Sequence, residues 1–283
     1  MTVLRALTLV LWLAVVPGCS PTSAPSASAP SAAPPSLQEE PPNPPEKTGE
    51  LARPDRPAAA PVVSPEVHLI RTSGSARGPI PYLTVEPSEA PNETPIVIAL
   101  HGRGARADSF ARLTEGLRVP ARFIVGRGPL PWGATGGRQW FGPRRSAPFE
   151  GIEDRVEELV TLADQLQAQY PGSPKPILLG FSQGAMLAMQ AVAAKPERFA
   201  KVVALSGALP RPEAGVKASK AVPMLLTAGK FDTIVPPEST QSGAQRLKEL
   251  GHAPKVVVFE GAHSVARELI PQIRAFLTDP SPP

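Results

Sequence analysis

A serine between two glycines is the first candidate for chemistry in this chain. Ser182 lies in the pentad "GFSQG" at 180–184, which joins the apolar run "KPILLG" to the helix-forming run "AMLAMQAVAA". A strand that turns sharply into a helix holds its serine in a strained conformation and exposes the hydroxyl at the helix N-terminus, where the dipole favours negative charge. The pattern predicts that Ser182 is a nucleophile.

A serine hydroxyl reacts only when a neighbouring base takes its proton, so a histidine and an orienting acid should follow. Asp232 in "GKFDTIVP" comes after the apolar run at 222–229, and His263 in "GAHSV" comes after the run at 255–261. Both residues are therefore predicted at strand ends, as members of a Ser-Asp-His triad. The alternatives are that Asp232 caps the helix that follows it and that His263 caps the last helix.

Two backbone donors are also needed for the oxyanion that forms when a serine attacks a carbonyl carbon. The amide of Gln183, directly after the serine, is the first candidate. The glycines of the loop "LHGRGA" at 100–105 let the backbone approach a substrate closely, and we expect the Arg103 amide to be the second donor. The neighbouring His101 is expected to brace this loop rather than to react.

Apolar runs that alternate with amphipathic segments predict the elements that position these residues. The predicted strands are 95–100, 121–126, 175–180, 201–207, 222–229 and 255–261, after a leading hairpin at 66–72 and 80–86. The predicted helices are 152–170, 183–195, 238–250 and 264–277. This alternation indicates an α/β fold with a mostly parallel central sheet, helices on both faces and an active site beyond the carboxyl ends of the strands. Only 14 residues separate Gly207 from Val222, so we expect no large cap domain.

Five motifs together resemble those of the phospholipase/carboxylesterase family of α/β-hydrolases, over residues 92–278. They are "ALHGRGA", "GRQWFGP", "GFSQGAM", "DTIVPP" and "GAHSV". The resemblance implies an α/β-hydrolase fold and cofactor-free hydrolysis of carboxylic esters or thioesters, and it assigns the triad and the oxyanion amides to the same five residues. The segment "GRGPLPWGATGGRQWFGP" departs from the pattern of the thioesterase members, which argues against acyl-protein specificity.

A long glycine-rich segment at 126–150 predicts a wall of the substrate pocket, because loops of this length are often functional. We expect Trp132, Trp140 and Phe141 to contact the acyl or alcohol group. The alternative is a surface loop pinned by its aromatic residues. The same segment carries three arginines that are candidates to attract an acidic substrate, namely Arg138, Arg144 and Arg145.

Charge and metal-ligand patterns argue against several function classes. The formal net charge is +4, with acids and bases interspersed and no long basic run, which gives no support to nucleic-acid binding. No pair of histidines has metal-ligand spacing, and a single cysteine excludes an intramolecular disulfide and a cysteine-based zinc site. We expect neither a metal nor another cofactor.

The amino-terminal segment has the pattern of an exported protein. Residues 1–18 combine Arg5 with an apolar run at 7–16 that is too short to span a bilayer, and they predict a signal peptide. "VPGC" at 16–19 resembles the lipobox of bacterial lipoproteins. That resemblance implies a lipidated Cys19 that anchors the protein to a membrane, at the outer membrane, in the periplasm or on the cell surface. The alternative is ordinary cleavage nearby, with Cys19 discarded.

Proline content separates a tail from a body. Thirteen of the 38 prolines lie between Ser20 and Pro65, in a stretch without aromatic residues, which predicts a disordered or extended tether. The predicted organisation is a signal peptide at 1–18, the lipid-anchor cysteine and tether at 19–65, a catalytic domain at 66–279 and a short tail at 280–283.

These patterns together predict an exported serine hydrolase that cleaves carboxylic esters, on small molecules or on polymers, through an acyl-enzyme. The alternatives within enzymes are a thioesterase and an esterase of polyesters or acylated polysaccharides of the feruloyl or acetyl type. A peptidase and a binding lipoprotein that has lost activity are the remaining alternatives. An intact set of triad and oxyanion motifs argues against the binding lipoprotein.

Overall fold

The central element of the computed structural model is an eight-stranded sheet, and the structure describes residues 69–73, 78–142 and 149–280. A separate two-stranded hairpin lies beside the sheet and is formed by β5 (Leu130–Trp132) and β6 (Gly137–Gln139). The strands of the sheet are β1 (Leu69–Ser73), β2 (Tyr82–Pro87), β3 (Ile96–Leu100), β4 (Arg122–Gly126), β7 (Ile177–Phe181), β8 (Lys201–Leu205), β9 (Pro223–Gly229) and β10 (Ala253–Phe259).

The sheet is mostly parallel, as the sequence predicts. Its strand order is β1-β2-β4-β3-β7-β8-β9-β10. β1 pairs with β2 and β2 pairs with β4 in antiparallel fashion, whereas the other pairings of the sheet are parallel. The leading hairpin predicted at 66–72 and 80–86 is therefore confirmed in the residues that the structure describes.

Four of the helices within the described ranges lie in connections between parallel strands, and the fifth follows β10. They are α1 (Ala107–Leu117), α2 (Ile152–Gln169), α3 (Gln183–Ala194), α4 (Pro237–Glu249) and α5 (Ile270–Thr278). Short 3-10 turns lie at Pro196–Arg198, Pro212–Ala214 and Arg267–Leu269. No helix in the described part of the chain has the length and apolar character needed to cross a lipid bilayer.

Two apolar layers lie between the sheet and its helices, one on each face. Ile96, Ile98 and Leu100 of β3 join one layer, with residues of α2, α3 and α4. Val97 and Ala99 of the same strand join the other layer, with residues of α1 and α5. Because successive side chains of a strand alternate between faces, burial on both faces requires the near-continuous apolar runs seen in the sequence. Helices on both faces are thus confirmed.

Two helices differ from the sequence prediction. The sequence analysis predicts no helix at 107–117, where α1 lies. The last helix, predicted over 264–277, begins only at Ile270 because residues 267–269 form a 3-10 turn. Pro271 occupies the first turn of α5, where its missing N–H costs no hydrogen bond.

The connection between β8 and β9 is short, as expected. Within residues 206–222 the regular structure is a single 3-10 turn, Pro212–Ala214. No cap domain is inserted at this point, so the carboxyl ends of the neighbouring strands are not covered from here.

Candidate active site

A strained turn joins β7 to α3 and carries Ser182. Its backbone has φ 53° and ψ −117°, a combination that is rare for a residue with a side chain and that costs about 1–3 kcal/mol. A Cβ at Gly180 would overlap the backbone of Gly184, and a Cβ at Gly184 would overlap the backbone of Leu100. The two glycines of the pentad are therefore required by close approach, and the turn holds the serine at the carboxyl edge of the sheet.

His263 bridges the serine and a buried carboxylate. Its Nε2 lies 2.8 Å from Ser182 Oγ, and its Nδ1 lies 2.7 Å from Asp232 Oδ2. Because a carboxylate only accepts hydrogen bonds, the Nδ1–H of His263 donates to Asp232 and Nε2 keeps the lone pair that accepts the serine hydroxyl. The arrangement is one in which the imidazole can take the serine proton.

Asp232 is fixed by the loop that follows β9. The amides of Ile234 and Val235 donate to its Oδ1, both at 2.9 Å, and its side chain is fully buried. α4 begins after Pro236 without a side-chain cap, so Asp232 does not cap that helix. Both ring nitrogens of His263 are likewise engaged in the serine and aspartate bonds, which leaves no role for it as a cap of α5.

Both predicted oxyanion donors lie at the cavity beside the serine. Arg103 and Gln183 are among the residues that line it. The first amides of a helix have no acceptor within the helix, so the N–H of Gln183 at the start of α3 is available to a ligand. Within the described ranges, no backbone group accepts a hydrogen bond from the Arg103 amide. The role of these two amides stays a prediction.

The loop that carries Arg103 is held by the β5–β6 hairpin. The Gly104 amide donates to the Arg138 carbonyl at 2.8 Å, and the Arg138 amide donates to the Ala105 carbonyl at 3.0 Å. Gly104 has φ +83°, a conformation that favours glycine. The hairpin, which the sequence analysis did not predict, therefore fixes the backbone next to the serine.

The side chain of Gln183 has a role that the sequence did not indicate. Its Oε1 accepts a hydrogen bond from the Trp140 amide at 2.8 Å, and its Nε2 donates to the Phe141 carbonyl at 3.1 Å. The glutamine is 6% exposed, and both backbone partners belong to buried residues. One side chain thus attaches the 140–141 backbone to the turn that carries Ser182.

The predicted contact of Trp140 with a substrate is wrong. Its side chain is 0% exposed, and its indole Nε1 donates to the His101 carbonyl at 2.8 Å. The Trp140 ring also lies 5.1 Å from the His101 ring, measured between centroids. A ring that is fully enclosed by the core cannot touch a ligand in the cavity, and Trp140 instead supports the loop after β3.

Nine of the described residues line the cavity beside Ser182. They are Arg103, Phe141, Gly142, Phe149, Ser182, Gln183, Met186, Ile234 and Val235. The rings of Phe141 and Phe149 meet edge to face, with centroids 6.0 Å apart. Met186, Ile234 and Val235 are lining residues that the motifs alone did not indicate. Met186 lies four residues after the serine, so helical spacing could have placed it on the same face of α3.

Trp132 lies beside this cavity rather than in its lining. It is 42% exposed, and the Arg103 guanidinium lies 4.7 Å from the centroid of its ring. Arg138, a candidate for attracting an acidic substrate, instead donates to the backbone carbonyls of Gly128, at 2.8 Å, and Pro129. Several predicted positions lie outside the described residues, namely Cys19, Arg144, Arg145 and the segments 1–18 and 19–65.

His101 braces the loop after β3, as expected. Its Nδ1 lies 2.8 Å from the Gly102 carbonyl, and the Gly128 amide donates to its Nε2 at 3.0 Å. This pattern requires the neutral ring protonated at Nδ1, and burial lowers the pKa of His101 below 6.5 accordingly. Across the ranges that the structure describes, no three potential ligands of the His, Cys, Asp or Glu type cluster into a metal site.

The sequence matches a known family over most of its described part. A family model described as Phospholipase/Carboxylesterase covers residues 81–280. The curated protein "Putative esterase NocK" of Nocardia uniformis subsp. tsuyamanensis is 25% identical over 185 residues, which amount to 62% of this chain and 51% of NocK. The chain thus spans about half the length of that relative.

Solved structures share the fold. Esterase PE8 superposes with a TM-score of 0.62 at 26% sequence identity, over 70% of this chain and 97% of its own. The Bacillus cereus carboxylesterase superposes with a TM-score of 0.61, over 70% of this chain and 93% of its own. At 17% identity, the second likeness shows the fold alone. The family match over residues 81–280 confirms the resemblance of the motifs, and this chain belongs to the phospholipase/carboxylesterase family.

Proposed function

We propose that this protein is a serine esterase that hydrolyses carboxylic esters with Ser182 as its nucleophile. The observation that carries the proposal is the hydrogen-bonded series Ser182, His263 and Asp232 at a strained strand-to-helix turn. Membership of the phospholipase/carboxylesterase family and the likeness to esterase PE8 support ester hydrolysis as the reaction class.

Acylation begins when Ser182 Oγ attacks the ester carbonyl carbon while His263 Nε2 takes the hydroxyl proton. The Asp232 carboxylate stabilises the imidazolium that forms and keeps the ring in the productive tautomer. The tetrahedral intermediate then collapses, the bond to the alcohol oxygen breaks, and His263 gives its proton to the departing alcohol. The product of this step is an acyl-enzyme on Ser182.

The negative charge of the intermediate is stabilised by the amides of Arg103 and Gln183. A donor of this kind is worth about 2.7–4 kcal/mol in the transition state, because it is already oriented and requires no reorganisation. The glycine-rich loop after β3 supplies one donor, and the first turn of α3 supplies the other.

Deacylation repeats the same steps with water in place of the serine hydroxyl. His263 removes a proton from a water molecule as its oxygen attacks the acyl carbon, and the proton then returns to Ser182 Oγ as the acid leaves. The free serine and the neutral histidine are regenerated, so the cycle consumes only the ester and water.

A fluorophosphonate probe tests the proposal directly. The probe should label the wild type and fail to label Ser182→Ala, and the same substitution should abolish hydrolysis of p-nitrophenyl butyrate. A wild type that is neither labelled nor active on a broad panel of esters would overturn the proposal. Including acyl-thioester and feruloyl substrates in the panel distinguishes a thioesterase or a polysaccharide esterase from a carboxylesterase.

We also propose that the enzyme is exported and anchored through a lipid on Cys19. The support is the sequence of residues 1–19, with one basic residue, an apolar run and the lipobox-like "VPGC". Expression in a bacterial host should direct the wild type to the membrane fraction and release Cys19→Ser as a soluble exported protein. Equal partition of the two proteins would contradict lipid anchoring.

A further inference from the structure

One charged side chain lines the cavity beside Ser182. Among the described residues that line it, Arg103 alone carries a formal charge, and the others are apolar or neutral. The residue follows Gly102, where a Cβ would lie only 3.3 Å from the Cβ of Ser182, so its backbone is next to the nucleophile. Arg103 is an exposed residue, and its guanidinium lies over the Trp132 ring beside the cavity.

The guanidinium is held in place by an aromatic ring. Its central carbon lies 4.7 Å from the centroid of the Trp132 ring, a cation–π contact. Trp132 belongs to the β5–β6 hairpin, and its ring also lies against Gly104, where a Cβ would approach it to 3.0 Å. A planar guanidinium over an indole keeps its N–H groups at the edge, where they can meet a carboxylate in bidentate fashion.

The ion pairs within the described ranges include none of Arg103. Asp232, the acid bonded to His263, is fully buried and already accepts hydrogen bonds from His263, Ile234 and Val235. Seven of the 14 arginines in the described ranges have an acidic partner, in the pairs Arg71–Glu115, Arg106–Asp108, Arg122–Glu86, Arg155–Glu158, Arg198–Asp164, Arg211–Glu213 and Arg246–Glu249. Arg103 is thus a positioned cation at the reaction site with its hydrogen-bond donors open to a ligand.

We propose that Arg103 forms an anion subsite and that the preferred substrates are esters bearing a second, carboxylate group, such as half-esters of dicarboxylic acids. This inference rests on the proposed esterase function. The carboxylate of the substrate takes the place of the missing acidic partner, while the apolar side chains of Phe141, Phe149 and Met186 contact the carbon chain between the two groups.

The test compares two esters that differ only in this charge. They are the p-nitrophenyl half-ester of adipic acid and the p-nitrophenyl ester of adipamic acid, in which a neutral amide replaces the carboxylate. After subtraction of the enzyme-free rate, we expect the wild-type kcat/KM to be about fivefold higher for the half-ester. An ion pair between the exposed Arg103 guanidinium and the substrate carboxylate is weakened by solvent, but the oriented guanidinium keeps part of its strength. Added NaCl should reduce this ratio because salt screens exposed charges.

Variants assign the preference to the side chain. Arg103→Met should bring the ratio of the two kcat/KM values close to one, and Arg103→Lys should retain part of it. A disturbed oxyanion amide would slow both esters alike, so the ratio separates the side chain from the backbone. The matched control is Arg112→Met on α1, which removes the same net charge from an exposed position and should keep the wild-type ratio.

Two results would overturn the inference, and they are distinguishable. Equal wild-type rates for the two esters, or an unchanged ratio in Arg103→Met, would refute the anion subsite while leaving the esterase intact. A wild type that hydrolyses neither ester and is not labelled by fluorophosphonate would refute the esterase and the subsite together.

Discussion

The two hydrogen bonds of the Gln183 side chain make a sharp prediction about positioning. Gln183→Leu keeps the approximate size of the side chain but leaves the Trp140 amide and the Phe141 carbonyl without partners. A buried polar group without a partner costs about 1–3 kcal/mol, so the two groups together lower the free energy of unfolding by about 2–6 kcal/mol. For a domain of this size, that loss lowers Tm by about 5–20 °C.

The same substitution should impair catalysis through the cavity wall. Without the glutamine, the backbone that carries Phe141 is no longer attached to the turn that carries the nucleophile. Because a displacement of about 1 Å at an active site can cost a factor of about 100, we expect kcat/KM for p-nitrophenyl butyrate to fall between about 10-fold and 100-fold. Fluorophosphonate labelling of Ser182 should persist, since the triad and the backbone amides remain.

A matched control lies on the same helix. The Gln190 side chain also bonds one backbone amide and one backbone carbonyl, both of Arg211, at 2.9 Å and 3.2 Å, and is 2% exposed. Gln190→Leu should therefore lose stability by a comparable mechanism and keep the wild-type kcat and KM well below its Tm, because Gln190 does not line the cavity.

Kinetics and thermal unfolding of both variants decide the matter. If Gln183→Leu folds and its kcat/KM lies within twofold of the Gln190→Leu value, the side chain does not position the wall and the reasoning fails. Should Gln183→Leu be too unstable to purify, Gln183→Glu retains the acceptor for the Trp140 amide and loses only the donor to Phe141. It should then show an intermediate loss of kcat/KM.

Three further predictions concern the triad, the buried histidines and the buried ion pair. Asp232→Asn should lower kcat by about 10⁴-fold with little change in the fold, because an amide favours the wrong tautomer of His263. Steady-state kinetics would check the loss of kcat, and circular dichroism would check that the fold is retained. Burial lowers the pKa of His101 and of His252, so the unfolded chain binds more protons than the folded chain below pH 6.5. The free energy of unfolding should therefore fall as the pH falls below that value, by up to about 1.4 kcal/mol per pH unit for each histidine. Both ring nitrogens of His252 lack a partner in the described structure, so His252→Leu should weaken the pH dependence of stability. Urea unfolding at about pH 7.5 and about pH 5.5 would check this, and an unchanged difference in the free energy of unfolding between the two pH values would exclude a contribution from His252. Arg122→Met should leave the partly exposed Glu86 without its 2.5 Å ion-pair partner and lower the free energy of unfolding by about 1–3 kcal/mol, and no measurable loss in denaturant unfolding would contradict this assignment.

The meeting of Ser182, Asp232 and His263 could be predicted because each residue lies within four residues of the end of an apolar strand. In a parallel sheet the carboxyl ends of the strands lie along one edge, so residues 50 and 31 positions apart in sequence can meet there. The burial of the strands on both faces could also be predicted from the sequence, because such burial requires continuous apolar runs like that of β3. These features depend on the local sequence and on the topology alone.

Side-chain direction could not be predicted in the same way. Trp140 and Trp132 occur in one glycine-rich segment, yet one indole is enclosed by the core and the other is exposed under a guanidinium. The difference arises from a hydrogen bond to the His101 carbonyl, a partner 39 residues away. The side-chain bonds of Gln183 span 43 and 42 residues and are equally invisible to local patterns.

Helix α1 was missed for a different reason. Its buried positions, Ala107, Phe110, Ala111, Thr114 and Leu117, follow helical spacing, but two are alanines and one is a threonine. The polar face of the helix carries Asp108, Arg112 and Glu115, so the amphipathic contrast was nevertheless present in the sequence. The helix is only 11 residues long, and the pattern therefore repeats over about three turns.

The position of β10 at the end of the sheet affects how long the enzyme can keep working under stress. Among the described strands it pairs only with β9, whereas β7 beneath the serine has a partner on each side. Edge elements open locally at a lower free energy than central ones. His263 follows this edge strand, so in the proposed mechanism fraying of β10 would remove the base from Ser182 while that residue is still in place. Heat inactivation should therefore set in before the central sheet melts, and the lifetime of activity is governed by the last strand rather than by the global stability.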